Sequence, residues 1–154
     1  MLDLEGISLT DEEKDILLNP HVGGVILFTR NIISRQQVKS LCMEIASINP
    51  WLLIATDQEG GKIQRLKKGY SILPSMRQLA LNVEKNANQD FTFTAEIGWL
   101  MASEVIASGL DISFAPVLDL DLATSSIIGD RSFGDNPKTV INIADSFIKG
   151  MNEA

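Results

Sequence analysis

Asp57 and Glu59 stand two residues apart, after the apolar run Trp51-Leu52-Leu53-Ile54-Ala55 and before Gly60-Gly61, with Arg65 a little further on. Carboxylates accept hydrogen bonds and a guanidinium donates a fork of them, so Asp57 with Arg65 is a suitable grip for a polyhydroxylated ligand. The paired glycines let the main chain turn, or approach a ligand without a Cβ in the way. Asp119 and Asp121 form a second acidic pair, followed by Gly129-Asp130-Arg131. Either acidic pair has the residue types of an acid and a nucleophile. Residues two apart on a strand also share a face, so a ligand-gripping or merely solvated pair explains them too. Other reactive groups are scarce. His21, the single histidine, precedes the second strand and reads as structural. Cys42 lies on the apolar stripe of a helix and reads as a small core residue. One histidine and one cysteine do not make a zinc site of the usual kind, and no metal is expected.

Eight elements must position these groups. Residues 1–6 read as a short strand, and Thr10 with Glu13 forms a capping box for a helix that ends by Asn19. Residues 23–28 form a continuous apolar strand. Ser34 with Gln37 is a second capping box, opening a helix with Val38, Leu41, Cys42 and Ile45 on one stripe. The strand 51–56 follows, then a stretch from 58 to about 93 with no clear long helix. A helix over about 93–108 carries Ile97, Leu100, Met101 and Val105, with Gly109 just past its end. A strand over 112–118 follows, in which Pro116 limits pairing. A long loop spans about 120–135. Asn136 then caps, and Pro137 opens, a last helix with Val140, Ala144, Phe147, Ile148 and Met151 on its stripe.

Strand and helix alternate four times, which predicts an α/β chain with a parallel sheet built of right-handed βα units. The acidic residues and long loops gather at the carboxyl ends of the third and fourth strands, while the amino-end turns are tight. That asymmetry fits the first four βα units of a (β/α)8 TIM barrel. A doubly wound open sheet is the alternative, although no G-x-G-x-x-G follows a strand.

The bulk numbers bound the function. The chain has 154 residues, enough for one domain, with 45% hydrophobic and 21% charged residues. A net charge of −7 argues against a nucleic-acid partner. A lone cysteine suits a reducing compartment. The acidic amino terminus does not read as a signal peptide, and no apolar run reaches the roughly 20 residues of a membrane span. A cytoplasmic protein with no membrane partner is expected.

The segment DQEGGKIQR at 57–65 resembles the signature of glycoside hydrolase family 3, in particular its bacterial NagZ-type β-N-acetylhexosaminidases. GGVILFTRN at 23–31, GWLMASEV at 98–105, DISFAPVLD at 111–119 and IGDRSF at 128–133 agree with it, in order, and the likeness runs over 1–154. Lys62 stands where the family usually has arginine, and Asp130 and Phe133 are conservative departures. The resemblance implies the amino-terminal half of a family 3 TIM-barrel domain. The implied activity is retaining removal of terminal β-linked N-acetylglucosamine from a muropeptide or disaccharide in peptidoglycan recycling, without a cofactor. Asp57 is then expected to accept hydrogen bonds from sugar hydroxyls, with Arg65 and Arg131 as further substrate-binding residues. Glu59 and Asp119 would brace the arginines, and Arg30 the barrel rim. A bridge from Arg131 to Asp130 or Asp119 is the structural alternative for that arginine. No catalytic residue is expected within 1–154. By resemblance the histidine acid/base, in a KHFPGHG-type segment, and the aspartate nucleophile follow Ala154. Four units alone would leave open strand edges and an apolar face, so self-association is expected. Two other readings stand beside this one: an inactive sugar-binding or interaction remnant, and an unrelated phosphosugar-binding protein, for which no phosphate-cradling glycine loop is seen.

Overall fold

The computed structural model of the protein describes residues 1–86, 90–123 and 126–154. Residues 87–89 of the stretch 58–93, and 124–125 of the loop 120–135, lie outside the described residues. In chain order the elements are β1 (Leu2–Asp3), α1 (Asp11–Leu17), β2 (Gly24–Leu27), α2 (Arg35–Ile48), β3 (Leu53–Thr56), α3 (Met76–Lys85), α4 (Thr92–Ala107), β4 (Ile112–Ser113) and α5 (Pro137–Asn152). All strands are parallel, in the order β1-β2-β3-β4. This is the topology of the first four βα units of a (β/α)8 barrel. The chain groups into two compact units. The first comprises 1–58, 65–70 and 104–114; the second comprises 59–64, 71–103 and 115–154.

The first unit contains the whole sheet. Thr10 accepts from the Glu13 amide, and Glu13 accepts from Thr10 and also from Glu5 further upstream. Ser34 caps α2, whereas Gln37 turns its carbonyl oxygen to Ile33 and donates to Ile7 and Asn31 instead of closing the box. One face of the sheet, with Val25, Leu27, Ile54, Thr56 and Ser113, is buried, and so is the α2 stripe of Val38, Leu41, Cys42 and Ile45. Each large apolar side chain buried here contributes roughly 1.5–3 kcal/mol. The other face is only partly covered: Ala55 is buried, but Leu53 is 53% and Ile112 40% exposed.

Two expectations are corrected here. The ladder of β3 begins at Leu53, and Trp51 sits in the preceding turn, 89% exposed. A bulky apolar residue beside Asn49-Pro50 was absorbed by the turn rather than the strand. The fourth strand ends at Ser113 rather than reaching 118. Phe114 still donates to the Thr56 carbonyl, but Pro116 two residues on has no N–H to offer. Asp111 meanwhile accepts the Ile54 amide through its carboxylate, extending the β3–β4 contact at the other end.

Two more are corrected outside the sheet, in the second unit and along α4, whose residues from 104 on belong to the first unit. The stretch 58–93 contains the ten-residue helix α3, opened by a full capping box of Ser75 with Gln78 and burying Met76, Leu79, Ala80 and Val83. The stripes of α4 and α5 are also shifted. In α4, Ile97 and Leu100 are half-buried, while Thr94, Gly98, Met101, Ala102 and Val105 are buried. In α5, Ile148 is exposed and Met151 half-buried, while Ile143 and Gly150 join Val140, Ala144 and Phe147 inside. The reason is close backbone approach. A Cβ on Gly98 would strike the Phe147 carbonyl, and one on Gly150 the Ala95 carbonyl. Small residues therefore mark the contact, which a search for large apolar side chains overlooks.

Gly98→Ala and Gly150→Ala should each destabilise the chain by about 1–3 kcal/mol in urea unfolding, since main chain must shift to admit the methyl group. Gly6→Ala, whose added Cβ meets nothing within 4 Å, is the matched control and should leave the midpoint nearly unchanged.

Candidate functional site

β3 ends at Thr56, and the next residue, Asp57, presents a half-buried carboxylate at the carboxyl end of the sheet. Arg65 returns to it: Nη2 donates to Asp57 Oδ2 at 3.0 Å, with about a fifth of each side chain exposed. Among the described residues Asp57 Oδ1 takes no hydrogen bond, and the buried Arg65 Nε has no hydrogen-bond partner. The guanidinium carbon lies 5.6 Å from the ring centroid of Phe28, which follows β2. Arg30 lies over the same ring at 5.2 Å, donates to the Leu4 carbonyl and pairs with Asp3, tying the end of β1 to the end of β2. Asn31, fully buried, adds bonds to the Leu4 and Gly6 carbonyls.

Glu59, only 4% exposed, belongs to the second unit and engages Arg131 there. The pair is bidentate, with Nε to Oε2 at 2.9 Å and Nη2 to Oε1 at 2.7 Å. This is the strong fork geometry of a guanidinium on a carboxylate. Arg131 closes a short 3-10 turn, Gly129–Arg131, whose Gly129 has φ 42°. The buried Ser132 hydroxyl lies 2.5 Å from the Asp119 carbonyl oxygen and accepts from the Gly134 amide at 3.1 Å. Phe133 is fully buried, edge-on to Phe147 at 6.4 Å. Arg77 donates to the Phe133 carbonyl. The segment 129–134 is thus a scaffold that presents one arginine.

Gly60 and Gly61 serve the turn and a close approach by the chain itself. Their φ values are 99° and 55°, and Glu59, Gly60 and Ile63 close the turn by main-chain bonds. A Cβ on Gly60 would strike the Pro74 carbonyl, and one on Gly61 would come within 2.7 Å of Ser75 Cβ. Lys62 is exposed at the tip, so arginine and lysine are sterically equivalent there.

The sequence candidates therefore fall as follows. Asp57 and Arg65 come together. Arg131 takes Glu59 as its partner, not Asp130 or Asp119. Asp119 contributes its main-chain carbonyl to the loop while its side chain is exposed. His21 is exposed in the turn before β2, at the amino end of the strands. Sequence reasoning passed over Phe28, Gln58, Ser113 and Ser132. A glutamine or serine gives no periodic signal, and only its burial at a strand end marks it. Among the described residues no three His, Cys, Asp or Glu side chains are grouped to hold a metal ion, and no helix is long and apolar enough to cross a membrane.

The sequence matches the Glycosyl hydrolase family 3 N terminal domain over residues 1–154. The chain belongs to glycosyl hydrolase family 3. It is 49% identical over 154 residues to a beta-hexosaminidase of Pseudomonas aeruginosa, covering all of this chain and 45% of that protein. Among solved structures, NagZ from Neisseria gonorrhoeae in complex with N-trifluoroacetyl-D-glucosamine superposes with a TM-score of 0.94 at 41% identity, covering 99% of this chain and 46% of that one. A family 3 beta-N-acetylglucosaminidase from Paenibacillus sp. gives 0.89 at 31% identity, over 100% of this chain and 29% of that one. The chain thus spans less than half the length of these relatives.

Burial, with the nearby Asp111 carboxylate adding to it, pushes the Cys42 thiol up to about 12. At neutral pH it is a thiol, not a thiolate nucleophile. A coloured disulfide reagent at pH about 8 should leave the native chain unlabelled and titrate one thiol per chain only after denaturation. Prompt labelling of the folded chain would contradict the burial of Cys42.

Proposed function

We propose that this chain is part of a cytoplasmic β-N-acetylhexosaminidase of peptidoglycan recycling, which removes terminal β-linked N-acetylglucosamine from muropeptides by retaining hydrolysis. In this reading Asp57, Arg65 and Arg131 bind the sugar, and the nucleophile and acid/base lie outside residues 1–154. The observation that carries it is the Asp57–Arg65 pair at the carboxyl end of β3. Among the described residues it leaves one carboxylate oxygen and two guanidinium nitrogens, the buried Nε and Nη1, without a hydrogen bond, next to an aromatic ring. Sugars are bound by such planar acceptor and donor groups working with apolar ring faces. The gonococcal relative was crystallised with an N-acylated glucosamine, which supports the choice of sugar. No cofactor enters this reading.

A second reading, a sugar-binding or interaction remnant without activity, shares the same grip. Two assays separate them. Isothermal titration of the 154-residue chain with N-acetylglucosamine should show binding that Asp57→Ala or Arg65→Ala weakens by about tenfold or more, the size expected for a charged hydrogen bond. A chromogenic β-N-acetylglucosaminide should stay uncleaved by the chain and be cleaved by the full-length gene product, if the first reading holds. Cleavage by the 154-residue chain would move the catalysts to Asp57, Glu59, Asp119 or Asp121. An inert full-length product would favour the remnant.

We also propose self-association of the isolated chain. Leu53 and Ile112 are exposed on one sheet face, and β1 and β4 each pair on one side only among the described residues. Sedimentation velocity should show dimers or larger species at tens of micromolar, and a monodisperse monomer at that concentration would sink the idea.

A further inference from the structure

Asp57 and Arg65 are eight positions apart, and the six residues 59–64 between Gln58 and Arg65 group with the second unit. Something must bring the chain back to Asp57. Beside the Arg65–Asp57 bond itself, the side chain of Gln58 does so by hydrogen bonds. Its Oε1 accepts the amide protons of both Arg65 and Leu66 at 3.0 Å, and its Nε2 donates to the Leu66 carbonyl at 3.3 Å. Its own main chain is fixed by the Ser113 hydroxyl, which accepts from the Gln58 amide at 2.9 Å and lies 3.1 Å from the Gln58 carbonyl oxygen. Gln58 is fully buried, so it does not touch a ligand.

We infer that Gln58 is the positioning residue of the sugar grip, setting through its side-chain amide where Arg65 stands against Asp57. The inference rests on the reading that this pair binds sugar. The chemistry demands an amide. One oxygen must accept two converging N–H groups while a second atom on the same planar group donates to a carbonyl. Ionised glutamate offers no donor there and buries a charge. Methionine keeps the length and volume of the side chain but has no N–H and only a weak acceptor. Without these bonds, the part-buried amide of Arg65 and the buried amide of Leu66 each lose a hydrogen bond, and a long flexible side chain loses its anchor.

The test compares wild type, Gln58→Met, Arg65→Ala and the double variant in titrations with N-acetylglucosamine. Gln58→Met should weaken binding by about tenfold or more, and Arg65→Ala at least as much. The double variant should bind no more weakly than Arg65→Ala alone, because Gln58 acts through that side chain. Amide exchange should quicken at residues 65 and 66 while the amides of β2 and β3 stay protected. Gln58→Glu provides a rescue: its protonated carboxyl regains both acceptor and donor. Its affinity should therefore approach wild type as pH falls from about 8 to about 5, relative to wild type at each pH. Binding by Gln58→Met within twofold of wild type, where Arg65→Ala loses it, would overturn the inference. Losses that multiply in the double variant would also overturn it, since they make Gln58 merely structural. If wild type itself fails to bind the sugar, the functional reading falls, and positioning is then decided by exchange alone. Unchanged protection at 65 and 66 in Gln58→Met, or in Gln58→Glu at pH about 8 should the methionine variant not fold, would end it.

Discussion

A main chain that leaves a parallel ladder carries its polar groups with it, and burial makes each unpaired one costly. β3 reaches that point at Thr56, with Gln58 fully buried two residues later. Most of the candidate site follows from how this demand is met. Ser113, the last residue of β4, lends its hydroxyl to the main chain at 58. The Gln58 side chain then serves the amides of 65 and 66, and Gln64 does the same work one step on, accepting from Leu73 and donating to Ser71. Two glutamines thus replace the ladder that the strand gave up. The loop that results is held by interior hydrogen bonds, so the arginine at its end needs no ligand to be placed.

The two arginines are held in different ways. Arg131 has both prongs on a carboxylate that is nearly buried, an arrangement rigid before anything binds. Arg65 meets its carboxylate through one nitrogen and rests over Phe28, so both partners keep hydrogen-bonding capacity. In both pairs the charges cancel locally.

Much of this was legible in the sequence where local physics decides. The strands read at 23–28 and 51–56, each trimmed at its ends by the structure, the caps at Thr10, Ser34 and Asn136, and the meeting of Asp57 with Arg65 followed from residue type and spacing. What escaped was set by contacts distant in the chain. The helix α3 hid in a stretch read as loop because it is short and flanked by turn residues, although Ser75 and Gln78 carried its capping box in plain view. The pairing of Arg131 with Glu59, 72 residues away, follows from no local rule; only the family resemblance, which had Glu59 brace the arginines, pointed to it. The buried stripes of α4 and α5 were misjudged because Gly98 and Gly150, where backbones touch, score as gaps in an apolar pattern.

Trp51, taken for strand, stands almost bare in the turn before β3, and Trp99 is about half exposed. An indole in water already emits near the red limit of its fluorescence. The emission of this protein will therefore shift little when it unfolds, and a melt followed by tryptophan colour would look flat while the core came apart. The optically useful groups are elsewhere: Tyr70, bonded to Ser108 in the first unit, and the Phe133–Phe147 edge in the second. Each unit thus carries its own near-ultraviolet signature, and circular dichroism in that range will follow the folding that fluorescence does not.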